Sequence, residues 1–311
     1  GEDARARILA IAELAEDWDA SVKDWHSRNA ALIQHRNGRR LPSRPHEYML
    51  YQALVGAWPG KTDAQLVTRM QDYAVKAARE GKEETNWTDP NEAYEVALRA
   101  FVAGLLDPTI SAGFLTSFET FAARTTLLGT LNSVSQLALK SLLPGVPDFY
   151  QGTELWDLSL VDPDNRRPVD FSARRSFLAE SSLPWDTLAS RWQDGRIKLA
   201  VTHALLALRQ DLPDLFRYGT YEPIEAAGPH AGHVVGFARA WKKERLVVAV
   251  GRHFSPLTDG GRCWPSGWQA TLPLPPGTYR DIFDPASTSH QNEVSVAILF
   301  ATYPISVMRL A

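Results

Sequence analysis

Cysteine is nearly missing: Cys263 stands alone, which rules out a disulfide framework and a cysteine-built zinc site. A reducing, cytoplasmic setting is the expectation. An excess of one charge is missing as well. With 33 Lys and Arg against 36 Asp and Glu the formal net charge is −3, so the basic field on which nucleic-acid binders rely is not there. Long hydrophobic runs are missing too. Stretches such as Phe101 to Leu106 and Leu246 to Val250 fall far short of the roughly 20 apolar residues that cross a bilayer, and no membrane span is expected. There is no Gly-rich phosphate loop, no Gly-x-Ser-x-Gly elbow and no metal-spaced His pair. The eight histidines, His290 among them, are scattered, and His230 and His233 flank a turn. Neither a metal nor a cofactor is expected. Gly1-Glu2-Asp3-Ala4-Arg5-Ala6-Arg7 holds no apolar signal region and no initiator Met, so the chain reads as part of a longer protein.

What is present suits a folded chain of about two domains. The 311 residues are 44% hydrophobic and 22% charged, near globular averages. Helical periodicity runs through the first hundred residues, with Ile8, Ile11, Leu14 and Trp18 on one face and Leu66, Met70, Tyr73 and Ala77 on another. Asp89-Pro90-Asn91-Glu92 predicts a helix start with Asp89 as N-cap, followed by Tyr94, Leu98, Phe101 and Leu105 on one face. A further helix is expected from Ala112 to about Leu142. At Leu143-Pro144-Gly145-Val146-Pro147-Asp148-Phe149-Tyr150-Gln151-Gly152 a short strand framed by turn formers is predicted.

Residues 153 to 193 read mostly as ordered loop, punctuated by Pro163, Pro168 and Pro184, and a helix follows from about Gly195 to Arg209. Then the texture turns to β. Runs at Val235 to Trp241, Leu246 to Val250, Trp268 to Leu274, Tyr279 to Phe283 and Ser306 to Leu310 predict an antiparallel sandwich. The expected architecture is α+β in three parts: a helical region 1–142, a strand with its loop and helix at 143–216, and a β-sandwich at 217–311.

Chemistry concentrates in Val161-Asp162-Pro163-Asp164-Asn165-Arg166-Arg167-Pro168-Val169-Asp170-Phe171. Sugar hydroxyls both donate and accept, so a polyol site uses carboxylates and amides as acceptors, Arg as a forked donor, and an aromatic face such as Trp156. An Arg/Asp network that only pins a long loop is the competing reading. Seven of the ten tryptophans lie in the first two thirds of the chain, and most are expected in the core. Trp87 differs, because it sits in the polar stretch Lys82-Glu83-Glu84-Thr85-Asn86-Trp87-Thr88. It is either a site residue or a cap packed on the Tyr94 helix.

The run Pro144-Gly145-Val146-Pro147-Asp148-Phe149-Tyr150-Gln151-Gly152-Thr153-Glu154-Leu155-Trp156 with Asp162 to Phe171 closely resembles the maltooligosyltrehalose synthase family, a branch of the α-amylase superfamily. Its Gly-x-Pro-x-x-Tyr-x-Gly-x-Glu part resembles the eighth barrel strand of that superfamily at large, whereas Asp-Pro-Asp-Asn-Arg-Arg-Pro-Val-Asp-Phe is narrower. Glu47-Tyr48-Met49-Leu50-Tyr51-Gln52 through Trp58-Pro59, and Asn86-Trp87-Thr88-Asp89-Pro90-Asn91-Glu92, add to it. The resemblance implies an intramolecular transglucosylase, an isomerase that opens the reducing-end α-1,4 bond of a maltooligosaccharide and recloses it as an α,α-1,1 bond. It implies the C-terminal part of such an enzyme: a helical insertion, the last barrel strand with its helix, and a C-terminal β domain.

The family's nucleophile, its acid/base and a third Asp, in a His-Asp-Thr-Lys-Arg run, lie upstream of the segment resembled here. No catalytic residue is therefore assigned in this chain, the missing N-terminal barrel is its expected partner, and the chain alone is expected to be inactive. The substrate-binding set implied is Asp162, Asp164, Asn165, Arg166, Arg167, Gln151, Glu154 and Trp156 from the strand-eight region, with Lys82, Trp87, Asn91 and Glu92 from the insertion. Two alternatives stay open: another hydrolase or glucanotransferase of the superfamily, and a non-catalytic α-glucan-binding or structural module.

Overall fold

The computed structural model describes residues 1–179, 183–284, 288–289 and 292–311; His290 lies outside the described residues. The chain forms two compact units, one of residues 1–129 and 158–168, the other of 130–157 and 169–311.

The first unit runs α1 (Glu2–Ala10), α2 (Ala15–Arg28), the hairpin β1 (Gln34–Arg36) and β2 (Arg39–Leu41), α3 (Arg44–Ala57), α4 (Ala64–Gly81), α5 (Glu92–Leu105) and the start of α6 (Ala112–Leu142). Its core is aromatic. Trp25 is fully buried, with the rings of Tyr51, Phe114, Phe118 and Phe121 at 5.4 to 5.8 Å, so Trp25, Trp18 and Trp58 are core residues as expected. Helix α1 crosses α6 where Gly129 has no side chain; a Cβ there would stand 2.6 Å from Arg7 Cγ. Arg7 is thereby buried and donates to the Trp58 carbonyl at 2.5 Å. Burial lowers its pKa to about 10, against the opposing pull of Asp3.

Two local expectations are corrected here. The N-cap of α5 is Asn91, whose side chain accepts the Tyr94 N–H at 3.2 Å, and the helix begins at Glu92, leaving Asp89 and Pro90 outside it. On α4 the buried stripe is Leu66, Met70, Ala74 and Ala78, with Tyr73 and Ala77 half-buried beside it.

The second unit takes the end of α6, then α7 (Phe171–Ala179), α8 (Trp185–Ser190), α9 (Arg196–Asp211) and α10 (Pro213–Tyr218). Next come β3 (Glu222–Ile224), β4 (Val234–Trp241), β5 (Glu244–Gly251), β6 (Thr271–Pro273), β7 (Tyr279–Asp281), β8 (Thr288–Ser289), β9 (Glu293–Ser295), α11 (Val296–Leu299) and β10 (Ile305–Leu310). Six strands form an antiparallel sheet in the order β3-β4-β5-β10-β7-β8, and β6 pairs with β9 as a separate ribbon. Alternation sorts the two faces. Phe237, Val248 and Val307 stand in register and join Val134, Leu137, Ile197, Val201 and Leu205 of α6 and α9 in one core. On the other face Gly236 leaves room for Leu272 of β6, which a Cβ would meet at 2.8 Å. The expected sandwich is therefore a sheet with helices on one face and a two-stranded ribbon on the other.

The strand expected at 144–152 is not formed. A strand exists through its ladder, and no described strand pairs with this segment, in which Val146 is 94% exposed. The stretch 153–193 is more helical than expected, because Pro168 lies ahead of α7 and Pro184 is the N-cap of α8, where a missing N–H costs nothing. Among the described residues no helix is long and apolar enough to cross a membrane.

Candidate functional site

In the first unit the loop 158–168 is held by the polar face of α4. Arg69, Asp72 and Lys76 follow at helical steps on the side away from Leu66 and Met70. Arg69 grips Asp164 with two parallel bonds, Nε to Oδ1 and Nη2 to Oδ2, both 2.9 Å, and Nη2 also reaches the Leu158 carbonyl at 2.7 Å. The Leu160 N–H donates to Asp164 Oδ2 at 2.6 Å, Arg167 Nε donates to the Asp164 carbonyl at 3.0 Å, and Lys76 donates to the Asp162 carbonyl. Burial alone would raise the Asp164 pKa, but the Arg69 fork and the Leu160 N–H outweigh it and hold the carboxyl below its usual range.

Between loop and helix lies a pocket of about 230 Å³. It offers the carboxylates of Asp72 and Asp162, the cations of Lys76 and Arg167, the Thr68 hydroxyl and the Tyr73 ring. Arg166 pairs with Asp162 at 2.5 Å, and the buried Asn165 Oδ1 has no hydrogen-bond partner among the described residues. Donors, acceptors and a ring face around a small cavity suit a polyol. Asp164 itself is spent on Arg69 and pins the loop to α4.

Arg69, Asp72 and Lys76 escaped the sequence reading, which placed Tyr73 only on the apolar face of this helix. Their signal was a polar stripe on an amphipathic helix, which is ordinarily a solvated face.

The same helix carries the second cluster. Arg79, three residues after Lys76, donates to both oxygens of Glu95 at 2.8 and 2.7 Å and lies 4.9 Å from the centre of the Trp87 ring. Trp87 is 56% exposed, so it is not a buried cap on the Tyr94 helix. Asn91 is the α5 cap and also donates to the Glu84 carbonyl at 3.1 Å. Lys82 ends α4 in the left-handed region at φ 59°, and Glu92 is exposed in the first turn of α5. Of these four, Trp87, Lys82 and Glu92 are open to solvent, and Asn91 is used by the fold.

The remaining predicted residues belong to the second unit. Gln151 is exposed. Glu154 accepts from Arg174 Nε at 2.8 Å, and Arg174 also donates to the Gly152 carbonyl at 2.7 Å. The Trp156 indole donates to the Trp192 carbonyl at 2.8 Å, with Lys198 Nζ 5.7 Å from its ring. Glu154 and Trp156 are thus tied into their own unit. Among the described residues no group of three or more His, Cys, Asp or Glu is placed to hold a metal ion.

No family model matches the chain. It is 35% identical to a curated protein of Mycobacterium tuberculosis (strain H37Rv) that bears the name of a maltooligosyl trehalose synthase, over 99% of this chain and 36% of that protein. The fold is similar to the maltooligosyltrehalose synthase of Arthrobacter ramosus, with a TM-score of 0.79 and 32% identity over 100% of this chain and 37% of the other. A further crystal structure of a maltooligosyl trehalose synthase gives a TM-score of 0.81 at 29% identity, covering 100% of this chain and 38% of that one. The chain spans a little over a third of the length of these relatives. In sequence and in fold it is a relative, throughout its length, of a stretch of the maltooligosyltrehalose synthases.

Proposed function

We propose that this chain is the C-terminal part of an intramolecular transglucosylase of the α-amylase superfamily, which moves the reducing-end glucose of a maltooligosaccharide from an α-1,4 to an α,α-1,1 linkage. The observation that carries the proposal is the Asp162 to Arg167 loop, a family-specific run here locked on α4 around a polar pocket. In this reading residues 1–142 are the helical insertion, 143–216 the last barrel strand with its loop and helix, and 217–311 the C-terminal β domain. A cytoplasmic enzyme is part of the same proposal.

The chemistry follows the retaining scheme. One carboxylate displaces the glycosidic oxygen and forms a glycosyl-enzyme; a second protonates the leaving oxygen, then takes the proton of the attacking hydroxyl. The acceptor is the anomeric hydroxyl of the released glucose instead of water. Both carboxylates are assigned to the preceding barrel, and Asp72, Asp162, Lys76, Arg167 and the exposed Trp87 ring to holding sugar rings. Product analysis with maltopentaose on the longer protein that carries this sequence tests the reading. A non-reducing, trehalose-ended product of unchanged length is expected, with none from the 311-residue chain alone. Free maltooligosaccharides and glucose as the main products would assign a hydrolase.

A further inference from the structure

Past α10 the second unit leaves two large rings in solvent. Tyr218, the last residue of α10, is 52% exposed, and Tyr221, just ahead of β3, is 45% exposed. Neither ring is loose. Tyr218 packs on Trp241 with ring centres 5.3 Å apart and planes 37° apart, and Tyr221 packs on the fully buried Phe237 at 5.4 Å and 36°. Phe237 and Trp241 lie an even number of residues apart on β4, hence on one face of the strand. Both tyrosines are therefore laid along that same face, braced from below by a ring and open to solvent beyond it.

The backbone between them is clamped. Arg239, between Phe237 and Trp241 on that face, donates to the Gly219 carbonyl at 3.2 Å and to the Thr220 carbonyl at 2.6 Å. The Thr220 N–H is spent on the Ala240 carbonyl at 2.9 Å. Gly219 passes so close to the end of α10 that a Cβ would run into the Leu215 carbonyl oxygen. These contacts fix the spacing of the two rings before any ligand arrives, which lowers the ordering cost of binding. The connection puts the two Cα atoms at most about 10 Å apart, a span that a chain of sugars bridges and a single hexose does not.

Polar groups of both kinds are at hand. The Tyr218 and Tyr221 hydroxyls have no hydrogen bond among the described residues, and each can donate and accept. Arg217 and Lys242 lie 5.4 and 5.5 Å from the Tyr218 and Trp241 rings and have no ion pair among the described residues. The cations Arg217, Lys242 and Lys243 are matched along the same two stretches by Asp214, Glu222 and Glu244, so the basic field that a nucleic acid needs is missing. Ring faces, phenolic hydroxyls and balanced charge match the apolar face and hydroxyl rim of a neutral sugar. We propose that the Tyr218–Tyr221 strip is a surface site for a chain of α-1,4-linked glucose. The choice of an α-glucan rests on the function proposed above, whereas the strip itself does not.

Native electrophoresis of the full 311-residue chain through gels with and without amylopectin tests this, with maltoheptaose, cellohexaose and a polyuridine strand as competitors. Amylopectin should retard the chain and maltoheptaose should release it. Tyr218→Ala with Tyr221→Ala should weaken the retardation by about tenfold or more, the effect of losing stacked ring area, and Tyr218→Phe with Tyr221→Phe, which keeps the rings, should retain more of it. On the unaltered chain, nitration by tetranitromethane read by mass spectrometry should show Tyr218 and Tyr221 protected by maltoheptaose and the exposed Tyr48 of the first unit unprotected. That readout needs no variant, so a misfolded one does not shelter the proposal. No retardation, equal retardation of the parent and the alanine variant, release by cellohexaose or polyuridine as readily as by maltoheptaose, or unprotected Tyr218 and Tyr221 would each overturn the assignment. Retardation that depends on the two rings, in a chain whose longer protein yields only hydrolysis products, would uphold this site and overturn the proposed reaction.

Discussion

Each unit draws a carboxylate at least partly out of water, Asp164 half-buried and Asp281 buried, and the two carry their charge differently. Asp164 in the first unit faces the Arg69 fork and is held ionised below the usual carboxylate range. Asp281 in the second unit meets neutral donors among the described residues, the Ser306 hydroxyl, the Phe283 N–H at 2.8 Å and the Val307 N–H, and burial, with the Asp284 charge adding to it, pushes its pKa up to about 6. Desolvation pushes both carboxyls up; at Asp164, which lies less deep, the guanidinium fork outweighs it. The second unit uses its own buried guanidinium elsewhere. Arg239, 1% exposed, donates to the carbonyls of Thr220, Leu142, Leu215 and Gly219, closing the ends of α6 and α10 with no ion pair among the described residues.

The sharpest way to break this contrast is Arg239→Met. It leaves several buried carbonyls unpaired at about 1–3 kcal/mol each, so a loss of roughly 3–5 kcal/mol is expected after partial hydration. Urea unfolding should show it, and a loss under about 1 kcal/mol would mean that water replaces the guanidinium. Arg69→Ala is expected to cost about 2–4 kcal/mol, less than a fully buried pair because both side chains keep some solvent contact. A double-mutant cycle with Asp164→Asn should recover much of that loss, and additive effects would count against a coupled latch.

The two carboxylates also predict opposite pH profiles. For Asp281 the folded pKa lies above the unfolded value of 3.8, so its stability contribution is full below 3.8 and falls as pH rises to about 6. A shift of that size corresponds to about 3 kcal/mol, and Asp281→Asn should flatten the window in melting curves taken between pH 4 and 6.5. Asp164 works the other way: its contribution is present above the unfolded value and lost as pH falls through the lower folded one. Arg69→Ala should weaken that acid-side loss. The smallest effect belongs to Trp87→Ala, with under about 1 kcal/mol expected for an exposed ring stacked on Arg79. A loss of about 3 kcal/mol or more in thermal unfolding would make the ring a packing residue.

Short-range features of this chain were legible before any coordinates. The reach of α6 from Ala112 to about Leu142, the periodic face of α9 and the short apolar runs that become β4 and β5 follow from side-chain spacing, because one turn decides which helical residues share a face and turn formers bound a strand. The loop from Asp162 to Arg167 was legible for the same reason, as a contiguous run. The cap of α5 sat at the edge of that range. Asp89 and Asn91 both have capping side chains, and the winner was the one that reached the Tyr94 N–H. Tertiary structure decided the rest. Arg69 and Asp164 stand 95 residues apart, and no local pattern links them. Residues 144–152 carry a strand-like sequence and form no strand, since a ladder needs a neighbour. What the sequence determined by itself was local: which residues turn, cap, alternate or cluster. Whether Asp164 meets an arginine, and whether Trp87 is core or surface, depended on which distant elements folding brought alongside.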